Sequence, residues 1–86
     1  MNILQTQHEI CVEVKHITKR YTMKHSYRSV DSLNIPSEWI KVIYLISSTE
    51  LSEYTEEQII NAVNLLSEKS NVSLHVDGKR LRYKKD

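Results

Sequence analysis

Two groups of cations have the residue types and spacing that contact with nucleic acid requires. The C-terminal group alternates with apolar residues and comprises Lys79, Arg80, Arg82, Lys84 and Lys85. The N-terminal group is interleaved with two tyrosines and comprises Lys15, Lys19, Arg20, Lys24 and Arg28. Cations neutralise phosphates, and aromatic rings stack on bases. Both groups are therefore predicted to bind nucleic acid, which is the first functional hypothesis.

Each group also has an ordinary structural explanation. The C-terminal cations can form a solvated strand face and a charged edge that discourages sheet-to-sheet pairing. If the N-terminal segment is helical, Arg20, Lys24 and Arg28 share one face at a spacing of four residues. If it is extended, Tyr21 and Tyr27 share a face and belong to the core. The sequence leaves both conformations open.

A set of carboxylates in the middle of the chain supports a second hypothesis. Its members are Glu50, Glu53, Glu56 and Glu57. An acidic face steers a basic partner during association, so the alternative function is a protein-interaction module such as an inhibitor or docking domain. Glu56 and Glu57 also suit the positive end of a helix dipole, which explains them without a partner.

Catalytic, metal and cofactor chemistry find little support. No Ser, Cys or His has a recognisable nucleophile–base spacing. The single cysteine, Cys11, excludes an intramolecular disulfide and a cysteine-based zinc site. On a strand, His8 and His16 point away from Cys11 and cannot converge with it on a metal. The chain is predicted to be neither an enzyme nor a cofactor protein.

Length and composition indicate one domain, residues 1–86, with 40% hydrophobic and 27% charged residues. The net charge of +1 conceals three blocks, because residues 1–30 carry +3, residues 31–68 carry −6 and residues 69–86 carry +4. Such asymmetry suggests directed contacts. The longest apolar run, residues 39–46, is too short to span a membrane. With no secretory signal at the N-terminus, a cytoplasmic protein is predicted.

The clearest predicted element is a helix from Glu56 to about Lys69. Thr55 and Gln58 form a capping-box pattern at its start. Apolar residues then recur at helical spacing, and Asn71 can cap the end.

A hairpin is predicted next, with strands 72–76 and 79–83 around a two-residue Asp77-Gly78 turn. In that register Leu74 faces Leu81 and Val72 faces Tyr83, which makes one face apolar. The opposite face is polar and basic and includes Arg80 and Arg82.

The residues before Glu56 have a less regular pattern of apolar and polar positions. Alternation over residues 10–14 predicts an N-terminal strand. Residues 39–46 fit either a helix or a buried strand, and the helix is favoured because Pro36 and Ser37 suit a helix start. Ser47 and Glu50 offer a second capping box for a very short helix. With residues 18–35 left unplaced, the predicted fold class is α+β, with an N-terminal strand, two or three helices and a C-terminal hairpin.

The order of elements over residues 39–83 resembles that of winged helix-turn-helix domains. The resemblance implies that Glu56–Lys69 corresponds to the DNA-reading helix and Leu74–Tyr83 to the wing. The acidic start of this helix departs from the family, because carboxylates repel phosphates. Contact is therefore expected through the wing cations, as in a transcriptional regulator.

Residues 60–83 also resemble, more loosely, the β-hairpin docking domains of nonribosomal peptide synthetases. That likeness implies a partner segment that pairs with the free edge of the hairpin. An exposed edge makes a homodimer plausible as well.

Overall fold

The computed structural model describes residues 3–25, 36–69 and 71–84. Along the chain these residues form helix α1 (Ile3–Lys24), strand β1 (Ile40–Lys41), helix α2 (Val42–Ile46), helix α3 (Glu56–Lys69), strand β2 (Val72–Leu74) and strand β3 (Arg80–Tyr83). A 3-10 turn, Thr49–Leu51, joins α2 to the segment before α3. The part described is an α+β fold, as the sequence predicted.

The three strands form an antiparallel sheet in the order β1-β3-β2. Leu81 of the central strand lies opposite Ile40 on one side and Leu74 on the other. Val72 lies opposite Tyr83. The predicted register of the hairpin is therefore confirmed, and its apolar face points toward the core, where Leu81 is fully buried.

The N-terminal strand prediction was wrong, because residues 3–24 form the helix α1. Ile10, Val14 and Thr18 are buried at successive four-residue intervals, whereas Val12 is 36% exposed. A period of four residues places one side of a helix on the core. Packing of α1 against both α3 and β3 thus outweighs the strand preference of its β-branched residues.

Helix α3 and its cap follow the prediction. The amide of Gln58 donates to the Thr55 hydroxyl at 3.1 Å, and the amide of Thr55 donates to the Gln58 side chain at 2.9 Å. A cap of this kind stabilises a helix by about 1 kcal/mol. Ile59, Ala62 and Val63 are buried on the inner side of the helix.

The segment before α3 combines both of the alternatives that the sequence left open. Ile40 and Lys41 pair with β3 as a strand, and α2 begins directly afterwards at Val42. The second capping box does not form. Instead, the Ser47 hydroxyl donates back to the carbonyl of Ile43 at 2.8 Å.

Candidate functional site

Arg80 was expected on the solvent-facing side of the hairpin, but it is only 8% exposed. Asp77 folds over it, and Arg80 Nη1 lies 2.9 Å from Asp77 Oδ2. The backbone amide of His75 donates to the carbonyl of Arg80 at 2.8 Å, which makes the loop four residues long instead of two. Arg80 is therefore part of the hairpin's own structure, and its guanidinium is not a surface cation.

Asp77 organises this loop. Its Oδ1 accepts a hydrogen bond from the amide of Lys79 at 2.8 Å and lies 3.2 Å from His75 Nδ1. Donation by the Lys79 amide, followed by the nearby His75 and Arg80, lowers the pKa of the Asp77 carboxyl below its ordinary value. Gly78 completes the loop with a φ of +70°, a conformation that favours glycine.

The lowered pKa makes the loop's stability depend on pH. The folded chain holds the Asp77 proton more weakly than the unfolded chain. The ionised Asp77 carboxylate therefore stabilises the fold fully above the ordinary carboxyl pKa of about 3.9, and this stabilisation is lost as the pH falls through the lowered pKa. We expect Asp77→Asn to lower the melting temperature at pH 7 and to differ much less from the wild type at pH 3. Thermal melts of both proteins at the two pH values test this, and an unchanged difference contradicts it.

The other two described arginines are also paired. Arg82 Nε lies 3.1 Å from Glu38 Oε1, and Arg20 Nη2 donates to Glu50 Oε2 at 2.7 Å. Arg82 also lies over the ring of Trp39, 6.0 Å from its centroid. Trp39 is not one of the buried core residues. It is half-buried and meets His75 edge-on, with ring centroids 5.0 Å apart.

Four lysines from three parts of the chain surround one end of the sheet. We call Lys15, Lys19, Lys69 and Lys84 the lysine surface. Lys15 and Lys69 line one cleft between α1 and α3, of about 340 Å³. Lys19 lies over the Tyr83 ring, 5.3 Å from its centroid, and Lys84 follows that tyrosine. Among the described residues, no carboxylate lies within ion-pair distance of these four ammonium groups.

The backbone fixes this arrangement. The hydroxyl of Thr22 in α1 donates to the carbonyl of Glu38 at 3.1 Å and accepts from the amide of Tyr83 at 3.1 Å. The amide of Lys84 donates to the carbonyl of Asn71, just after α3. Helix α1, the residues just after α3 and the end of β3 are thus tied together at one end of the sheet.

The remaining predicted cations are distributed unevenly. Lys84 belongs to the lysine surface, Lys79 lies at the hairpin loop, and Lys24 is exposed at the end of α1. Arg28 and Lys85 lie outside the described residues. No local pattern identifies Lys15 and Lys69 as neighbours, because 54 positions separate them along the chain.

Of the four predicted acidic residues, Glu50 and Glu53 line one shallow concavity beside α1. Glu50 is paired with Arg20, whereas Glu53, Glu56 and Glu57 are exposed. Partial burial, followed by the neighbouring Glu53, raises the pKa of the Tyr54 hydroxyl. Glu56, unlike the other three, lines a concave surface beside α2 and the hairpin loop.

That surface is an apolar groove of about 720 Å³ between α2, α3 and the hairpin loop. Its walls include Ile43, Ile46 and Ile60, and its rim carries Lys41, Lys79 and Glu56. Ile43 is 56% exposed and Ile60 is 38% exposed. The groove lies at the loop end of the hairpin, whereas the lysine surface lies where β3 ends.

Other chemistry has little basis in the part of the chain that is described. No three His, Cys, Asp or Glu side chains there come close enough to hold a metal ion. The Cys11 thiol donates to the carbonyl of Ala62 at 3.9 Å, and burial raises its pKa, which disfavours the reactive thiolate. None of the described helices combines the length and apolarity needed to cross a membrane.

The fold and these surfaces define a small α+β protein with a lysine surface at one end of its sheet and an apolar groove at the other. Comparison with models of known protein families, with curated proteins and with solved structures found no match to this chain.

Proposed function

We propose that this protein is a non-catalytic regulatory protein of winged-helix type that binds nucleic acid through the lysine surface. The observation that carries the proposal is a set of four lysines that have no carboxylate within ion-pair distance among the described residues. Lys15 and Lys69 line one cleft between α1 and α3, and Lys19 and Lys84 lie beside Tyr83. The order of elements, α1-β1-α2-α3-β2-β3, supports the resemblance to winged helices.

The proposed contact is with phosphates, not with base edges in a major groove. Helix α3 begins with Glu56 and Glu57, and its exposed outer residues include Asn61 and Asn64, with no cation before Lys69. Carboxylates at the start of a reading helix repel the nucleic-acid backbone. Phosphate contacts position a protein but carry no sequence information, so binding of low sequence specificity is expected.

The lysine surface has a definite electrostatic consequence. Each phosphate neutralised on duplex DNA contributes about −0.9 to the slope of log affinity against log salt, and about −0.7 on a single strand. Four lysines therefore correspond to a slope of roughly −3 to −4. The loss of each phosphate-contacting lysine reduces the slope by about 1.

The test measures the binding of a labelled oligonucleotide by fluorescence anisotropy between about 50 and about 200 mM salt. We expect Lys19→Gln combined with Lys84→Gln to weaken binding and to reduce the slope by about 2. The matched control is Lys41→Gln combined with Lys79→Gln, which removes the same charge at the hairpin loop and leaves the lysine surface intact.

The control pair is expected to change affinity only slightly. Two results contradict the proposal: equal losses in both double variants, which indicate a diffuse charge effect, or an affinity that neither pair changes. Single-stranded and duplex probes, measured in parallel, show which form of nucleic acid is preferred.

A further inference from the structure

We infer that the apolar groove is a self-association surface and that its occupant is a second copy of this chain. This inference uses different residues from the lysine surface and is independent of nucleic-acid binding. Three side chains supply the apolar contact, namely Ile43, Ile46 and Ile60, of which Ile43 is more than half exposed. A contiguous exposed apolar surface on a small protein marks an interaction site.

The charges around the groove favour a second copy as the occupant. Among the described residues, Lys41, Lys79 and Glu56 have no ion-pair partner within the chain. Asp77, the other carboxylate in the lining, is already engaged by Arg80 and His75. The rim therefore presents free charges of both signs around one apolar centre.

A surface with this composition is complementary to itself under a two-fold rotation. In such an interface, if residue i contacts residue j of the partner, then j contacts i. Glu56 of one copy then meets Lys79 of the other, and the same pair forms a second time. Ile60 and Ile43 lie between these pairs and exclude water from them. A different partner would have to supply charges of both signs around an apolar centre, which the chain itself already carries.

The geometry also lets both surfaces act at once. The groove lies beside the hairpin loop and the start of α3, whereas the lysine surface includes the end of α3 and the residue after β3. Association through the groove leaves Lys69 and Lys84 uncovered. Self-association and nucleic-acid binding can therefore be measured separately.

The experiment combines charge reversal with mixing. Sedimentation equilibrium of the full chain, up to about 1 mM, is expected to show a dimer. Glu56→Lys and Lys79→Glu are each expected to weaken it by about tenfold or more, because two attractive pairs become repulsive. An equimolar mixture of the two variants is expected to restore association, since both cross-pairs are again attractive.

Glu57→Lys is the matched control, because it makes the same charge change in the first turn of α3 and carries the same helix-dipole cost. It is expected to dimerise like the wild type. Circular dichroism of every variant distinguishes loss of the fold from loss of association. If Glu56→Lys unfolds, Lys79→Glu still tests the interface, because Lys79 lies outside α3.

Three results would overturn the inference. They are a wild-type chain that stays monomeric at every concentration, single variants that dimerise unchanged, and a mixture that fails to recover. A monomer that nevertheless binds an acidic amphipathic peptide at the groove counts against the second copy as occupant.

Discussion

Leu81→Ala is expected to lower the free energy of unfolding by about 2–5 kcal/mol, the usual cost of a leucine-sized cavity in a packed core. Leu81 is fully buried in the central strand and lies opposite both Ile40 and Leu74. A chain of this length has a total stability of only about 4–13 kcal/mol. The variant is therefore expected to lose a large fraction of its stability, as measured by urea denaturation followed by circular dichroism.

Leu74→Ala is the matched control on the neighbouring strand. Leu74 is only half-buried, so the same deletion removes less apolar contact and leaves a smaller cavity. Leu74→Ala is expected to lower the free energy of unfolding clearly less than Leu81→Ala does. Equal losses at the two positions would show that Leu81 is not at the centre of the core.

Thr22→Val is expected to destabilise the fold by about 2–4 kcal/mol although the two side chains have nearly the same shape. The Thr22 hydroxyl satisfies both the carbonyl of Glu38 and the amide of Tyr83. Valine leaves these two backbone groups without a partner where Thr22 is almost completely buried. Each unsatisfied buried group costs about 1–3 kcal/mol. Chemical denaturation gives the difference directly.

Thr18→Val provides the control, one helical turn earlier on the same face of α1. Thr18 is fully buried, and its hydroxyl has no hydrogen-bond partner among the described residues. Replacing a buried hydroxyl that has no partner by a methyl group is expected to be neutral or stabilising. If both valine variants lose stability equally, the hydroxyl of Thr22 is not the feature that joins α1 to the sheet.

The C-terminal half of the fold could be predicted because its signals are local. The capping pair Thr55 and Gln58 lies within one turn, and the alternation that sets Leu74 opposite Leu81 spans one hairpin. Patterns of this range can be recognised from residues that are close together in the sequence. The loop was less predictable, because the Asp77 side chain engages Lys79, His75 and Arg80 and thereby lengthens it by two residues.

The N-terminal prediction failed for the opposite reason. Over residues 10–14, alternation of β-branched residues is compatible with a strand, and only the longer series Ile10, Val14, Thr18 reveals the helical period. The choice between a strand and a helix depends on the surface against which the segment packs. That surface is formed by α3 and β3. Those elements lie more than 40 positions away in the sequence.

The sequence identifies the cations but not which of them lie close together or are paired in the fold. Alternation correctly put Arg80 on the opposite face of the strand from Leu81, but it could not show that Asp77 would cover it. Pairing similarly removed Arg20 and Arg82 as free cations. The convergence of lysines from α1, α3 and β3 is a tertiary property, so composition alone could not show it.

The strand order also determines the sequence of events by which the protein folds. The β2–β3 hairpin closes over four residues, whereas β1 reaches β3 only by closing a loop of about 40 residues, at a higher entropic cost. We therefore expect the hairpin and the adjoining α3 to form early and β1 to pair with β3 later. The edge of β3 that β1 covers has unpaired backbone groups before that pairing, so loss of β1 is expected to favour intermolecular strand pairing at this edge.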